Sequence, residues 1–159
     1  MSYSTPERLS KRIGPRIYAG LTAENGTVAN DDVAQGALDN ASNEVNLKIG
    51  TRYVWPVLAP PAVLASLRSL EEQIAHWLLY VYRGFGPQET GAAAAKVGYD
   101  SAMATLLQIS KAELDLYGAA IRDSETDPGG GFVLISETPH FDPPDDDNEW
   151  PHSTFTGTF

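Results

Sequence analysis

Apolar residues recur along positions 61–83 at steps of four, three, four, three and four: Val63, Leu67, Leu70, Ile74, Trp77 and Val81. That repeat is one face of an α-helix. It predicts a long helix from about Pro61 to Arg83, roughly 35 Å at 1.5 Å per residue. Arg68, Glu71, Glu72 and Gln73 form its polar face, but only in the first half. From Ala75 to Tyr82 the helix is apolar nearly all round, the pattern of a helix enclosed on several sides. In so short a chain the second side is assigned to a neighbouring subunit.

Similar stripes mark three more helices. Thr5 caps the first, Pro6 suits its opening turn, Leu9 and Ile13 face inward, and Gly14-Pro15 stops it. After a loop with an Asn25-Gly26 turn, Asn30 caps a second helix with Asp31 and Asp32 in its first turn. Val33, Ala37, Leu38, Ala41, Val45 and Ile49 form its inner stripe, and Gly50 ends it. The connector TRYVWPVLAPP holds three prolines, which forbid a regular helix, yet it is too apolar for a free linker. It is read as wrapping across a packed surface. Beyond the long helix, Thr90 is expected to cap a last one, with Ala92, Ala95, Tyr99, Ala102, Leu106 and Ile109 inward. A short turn or helix follows over residues 110–117.

The pattern changes after Arg122. DPGGG at 127–131 reads as a hinge, and Phe132, Val133, Leu134 and Ile135 form the one β-like run. The expected fold is all-α: a bundle of about four helices at 1–122, a hinge at 123–131, and an extended arm at 132–159 with one short strand.

Charge follows the same division. All 11 Lys and Arg lie in residues 1–122 with 12 of the 21 acids, so that body is near −1. The other nine acids lie beyond it with no base, and together they make the net charge of −10. A duplex-gripping protein needs a cationic footprint, and none is visible. The absence of cysteine excludes disulfide frameworks, thiolate zinc sites and cysteine nucleophiles, and fits a reducing compartment. The opening residues lack an apolar core, so no secretory signal is expected.

Several motifs resemble chemistry and fall short of it. His140, Asp142, Asp145, Asp146, Asp147, Glu149 and His152 are metal-ligand types, but they sit in a Pro-rich stretch without a rigid scaffold. Asp123, Glu125 and Asp127 suggest a calcium loop, yet Pro128 and Leu134 stand where that loop needs glycine and glutamate. Gly84, Gly86 and Gly91 follow a helix rather than a strand, unlike a phosphate loop. His76 has no serine or acid at motif spacing and reads as a packing or interface residue. No catalytic set, metal site or cofactor is expected, and the chain is not read as an enzyme.

A family resemblance accounts for what remains. Tyr3-Ser-Thr-Pro-Glu-Arg-Leu9 with Arg12-Ile-Gly14 is similar to the opening of Mu-like bacteriophage head–tail connector (adaptor, or head-completion) proteins. Ala37 to Val45 resembles their second helix. Arg52-Tyr53-Val-Trp-Pro56-Val-Leu58, Pro60-Pro61 and a long helix ending Leu78-Leu-Tyr80 follow their order, and Phe155-Thr156 with Gly157-Thr-Phe159 resembles their ending. Two departures are visible: no basic residue follows Arg122, and the stretch between the last two phenylalanines is short.

The resemblance implies a structural virion protein, made in the bacterial host cytoplasm and placed in the neck. There it would form a homo-oligomeric ring, about twelve-fold, through head-to-tail contacts. It would bind the portal protein on one side and a stopper or tail-completion protein on the other. Double-stranded DNA would pass through without sequence-specific binding, and no membrane is involved. The expected subunit-interface residues are Tyr53, Trp55, His76, Leu79, Tyr80 and Tyr82. The expected portal-docking residues are Phe132, Val133, Leu134, Ile135, Phe141, Trp150, Phe155 and Phe159. Other readings are a stopper one layer below, a small helical metal-binding enzyme, and a DNA-packaging protein.

Overall fold

A computed structural model describes residues 2–23, 28–89 and 91–122. The chain divides into two units, Met1–Thr126 and Asp127–Phe159, and the described residues all belong to the first. The expected strand at 132–135 and the arm aromatics lie outside them.

The described residues are all-α, with five helices: α1 Pro6–Ile13, α2 Pro15–Thr22, α3 Asp31–Ile49, α4 Pro61–Tyr82 and α5 Ala92–Ser110. The additional one is α2. Gly14-Pro15 does end α1, but it also starts α2: Gly14 adopts φ +88°, a conformation that favours glycine, and Pro15 supplies a ready-made first turn. Tyr18 and Leu21, one turn apart, then face the core. The signal was present in PRIYAGLT but too short to register as a stripe.

Helix ends are tied to neighbouring elements. Thr5 Oγ1 accepts from the Arg8 N–H at 3.4 Å, and Asn30 Oδ1 from the Asp32 N–H at 3.0 Å. The Tyr18 hydroxyl donates to Asp31 (2.6 Å) and the Asn30 N–H donates to Thr22 Oγ1 (3.1 Å), which joins α2 to the start of α3. Arg83 Nε and Nη2 donate to the carbonyls of Leu21 and Gly20, closing the open end of α2 from the far end of α4.

α4 is central and packs against α1, α2, α3 and α5. Leu67, Ile74, Ala75 and Leu79 are fully buried. Complete burial of each leucine or isoleucine contributes about 1.5–3 kcal/mol. Small residues line the helices beside it: Ala34, Ala37 and Ala41 on α3, and Ala92, Ala95 and Ala102 on α5, all buried. The α3 and α5 stripes lie where the periodicity places them.

Two expectations for α4 need correction. Its inward stripe does not run to its end, because Val81 is exposed; over residues 75–82, Ala75, Leu79 and Tyr80 are buried, His76, Trp77 and Leu78 half-buried, and Val81 and Tyr82 exposed. Its polar face is also misread, because Glu71 and Glu72 are buried. The segment before α1 lies over them and supplies the donors that a buried carboxylate needs.

The connector 51–60 crosses the end of the bundle. Tyr53 pairs with Ile121 in an isolated antiparallel bridge, flanked by Val54 N–H to Ala120 O (3.0 Å) and Arg122 N–H to Arg52 O (2.8 Å). Residues 111–118 form turns rather than a helix.

At the start of α5 the cap position is Gly91, with φ +92°. A Cβ there would stand 2.7 Å from the Tyr80 hydroxyl. Gly91→Ala is therefore expected to destabilise the fold by about 1–3 kcal/mol, from backbone strain and displacement of Tyr80. Urea denaturation compared with wild type measures it.

Candidate functional site

The six residues expected at a subunit interface separate by burial. Tyr53, Leu79 and Tyr80 are buried in the chain's own core and have little or no surface to offer a neighbour. Tyr53 is held there because its hydroxyl accepts the Leu116 N–H at 2.9 Å. Tyr80 packs edge-on to Phe85, with ring centres 5.9 Å apart, and tilted against His76 at 5.4 Å. Trp55 and Tyr82 are exposed, and His76 is half-buried. The Tyr82 hydroxyl accepts from Asn40 on α3 at 2.6 Å.

Exposed large apolar side chains gather at both ends of α4. At its C-terminal end stand Val81, Tyr82 and Phe85. At its N-terminal end, the connector presents Val54, Trp55 and Leu58, and the 111–122 segment presents Leu114, Tyr117 and Ile121. Tyr117 is the most exposed of them, at 85%. Pro60 and Gly118 meet closely enough that a Cβ on Gly118 would lie 3.0 Å from the proline ring, so the two segments form one surface. Over the 22 residues of α4 the two ends stand about 33 Å apart.

The N-terminal surface includes an open groove of about 440 Å³. Val63, Leu67 and Leu70 of α4 face Ile109 of α5 and the turn residues Leu114 and Tyr117. Ser66 donates to Ala62 O and Thr105 to Ser101 O, each back into its own helix, while Ser69 accepts from Arg12 and Asp115 pairs with Arg52. With most of its polar side chains so engaged, the groove suits apolar side chains.

Arg52 shapes one rim of this surface. Its side chain donates to the carbonyls of Ile109 and Leu114 (3.3 Å each) and pairs with Asp115, fastening the turn after α5 to the connector. Ser69, also in the lining, is bonded through its side chain and carbonyl to Arg12, which reaches Glu72 as well.

The titratable groups give no reacting set. Among the described residues, no three of His, Asp and Glu gather to hold a metal ion. The tail histidines and acids lie outside those residues. Burial, with Arg12 nearby, lowers the His76 pKa and keeps its imidazole neutral at pH 7; its Nε2 has no hydrogen-bond partner among the described residues. Burial raises Glu44 as well, and Lys48 partly opposes it. Lys96 sits over the rings of Trp77 and Tyr99, 5.9 and 5.2 Å from their centres, and pairs with Asp100. That arrangement is intramolecular packing of a cation on aromatic faces. No described helix is long and apolar enough to cross a membrane.

Sequence reasoning missed Phe85, Leu114, Tyr117 and Ile121 as surface residues. A lone apolar residue in a loop has no periodicity to betray which side it shows. It also missed Glu71 and Glu72, whose cover comes from residues more than sixty positions away.

Arg52→Ala removes three interactions from a mostly buried guanidinium. It is expected to cost about 1.5–3 kcal/mol. Hydrogen exchange should show lost protection at the Leu116 and Arg122 amides, which bond to Tyr53 and Arg52.

Comparison with known proteins bears on residues 3–134, which match the model of the family described as Bacteriophage Mu, Gp36. No curated protein matches the chain. The match extends from the segment before α1, through all five helices and the connector, and past the turn segment. A phage family matched over most of its length identifies this chain as a member of the bacteriophage Mu Gp36 family.

Proposed function

We propose that this protein is a structural virion component, a head–tail adaptor. It assembles head to tail into a ring of about twelve copies below the portal, since such contacts close when their rotation does. The ring joins the portal to the stopper or tail-completion protein and surrounds the DNA channel. The observation that carries this reading, in a chain of a phage family, is the pair of dissimilar apolar surfaces at opposite ends of α4. A symmetric dimer uses one patch twice. A ring needs two different patches on each subunit, one projecting and one receiving. Here the aromatic end, with Tyr82 and Phe85, is the projecting one, and the groove beside Leu114 and Tyr117 is the receiving one.

Charge supports the same role. Residues 1–122 are nearly neutral and the remainder is acidic, so DNA meets no cationic grip as it passes. The arm at 132–159 is assigned to portal docking through Phe132, Val133, Leu134, Ile135, Phe141, Trp150, Phe155 and Phe159. The acids between them keep that segment soluble.

Electron microscopy of the protein mixed with its portal is expected to show a ring on the portal's lower face. Binding only to an already assembled adaptor layer would instead identify a stopper. Val81→Asp and Tyr117→Asp each place a charge on one of the two surfaces, at exposed positions where substitutions change stability by about 0.5 kcal/mol. Both variants should keep the wild-type helical circular dichroism and fail to form rings. Deleting residues 136–159 should leave the helical signal intact and abolish portal attachment in a pull-down; retained attachment would remove the arm from the proposal.

A further inference from the structure

The segment before α1 is a three-residue strap across α4, and its seat is a buried carboxylate. Glu71 is completely buried. It accepts from the Ser2 hydroxyl and, at 2.7 Å, from the Tyr3 N–H. Beside it, Glu72 accepts from the Ser4 hydroxyl at 2.6 Å. Arg68 on α4 donates to the Tyr3 carbonyl at 2.8 Å. The Tyr3 ring reaches across to α3, where its hydroxyl donates to Asn46 (2.9 Å), and it lies nearly perpendicular to the Trp55 ring of the connector, with centres 6.5 Å apart. The strap thus touches α3, α4 and the connector through three residues, and three of these five hydrogen bonds go to two adjacent carboxylates.

The two carboxylates are not equivalent. Glu72 has cations: Arg12 of α1 at 3.1 Å and Arg8 at 3.9 Å. Among the described residues Glu71 has no ion pair of its own. Its neighbours are the neutral donors of the strap, the charged Glu72, and the Arg68 guanidinium turned to the Tyr3 carbonyl. An ionised carboxylate without a cation is costly to bury.

We propose that the strap is a proton-sensitive latch, seated most firmly on α4 when Glu71 is protonated and loosened when Glu71 ionises. Loosening uncovers both carboxylates and the Tyr3-facing side of Trp55, which belongs to the exposed apolar surface at that end of α4.

Burial is the largest influence on Glu71 and raises its pKa to about 7, with Glu72 adding to the rise and the Ser2, Tyr3 and Ser4 hydrogen bonds opposing it. Lifting the strap restores water and an ordinary carboxylate value near 4.5. A group whose pKa is higher in the seated form stabilises that form fully below the ordinary value. The stabilisation is lost as pH rises through the seated value. The latch is therefore tightest in acid, weakens between about pH 4.5 and 7, and levels off above that.

The test uses amide exchange at Tyr3 in the full chain from pH 5 to 8, corrected for the intrinsic base-catalysed rate. One proton per opening gives a fall in Tyr3 protection of roughly tenfold per pH unit up to about pH 7. Glu71→Gln cannot ionise and should show no such slope, while the Leu106 amide in α5 should stay protected in both proteins. A flat profile at Tyr3 in wild type, an equal slope in Glu71→Gln, or a parallel fall at Leu106 would each overturn the latch. Should Glu71→Gln fail to fold, carbon-13 titration of the Glu71 carboxyl in wild type decides: a midpoint near 7 supports the latch, and one in the ordinary carboxylate range refutes it.

Discussion

A 22-residue helix with apolar or buried side chains on nearly every side cannot stand in water, and α4 is such a helix. The chain covers it with short elements. α3 and α5 lie along it and approach closely because their contact faces are rich in alanine. α1 and α2, eight residues each, are too short to be stable alone and persist by packing against the longer helices. Arg83, at the end of α4, closes the end of α2 with two hydrogen bonds, so the covering elements are also fastened by the helix they cover.

α4 is buried deepest at Leu67, Glu71, Glu72, Ile74, Ala75 and Leu79 and is exposed at both ends. α1 and α2, at about 12 Å each, cover only part of a 33 Å helix. The apolar surfaces at Val81, Tyr82 and Phe85, and at Trp55, Leu114 and Tyr117, are among those left exposed by the described residues. Such surfaces are costly in a monomer and useful in an assembly. The proposed ring role would use both at once, each against a different neighbour.

The strap meets the same need on a third side of α4, but with polar rather than apolar contacts. Glu71 and Glu72 look like a solvated helix face when only their own helix is considered. Once residues 2–4 cross them they become the most deeply buried carboxylates among the described residues, and the proposed latch links the ionisation of Glu71 to the seating of the strap.

Local sequence by itself determined α3, α4 and α5, the inward stripes of α3 and α5, the caps at Thr5 and Asn30, and the break at Gly14-Pro15, because these depend on neighbours within about four positions. The family was legible in the order of short motifs, since Arg52, Tyr53 and the proline-rich connector stand together in the chain. Only the tertiary structure decided which apolar residues are core and which are surface. Tyr53 and Tyr80 went inward because the Leu116 amide and the ring of Phe85 meet them there, while Tyr82, two residues beyond Tyr80, stayed out. Glu71 was moved from solvent to interior by a segment 68 positions away. Burial is a property of what arrives on the other side, and a periodic pattern specifies a face without specifying its cover.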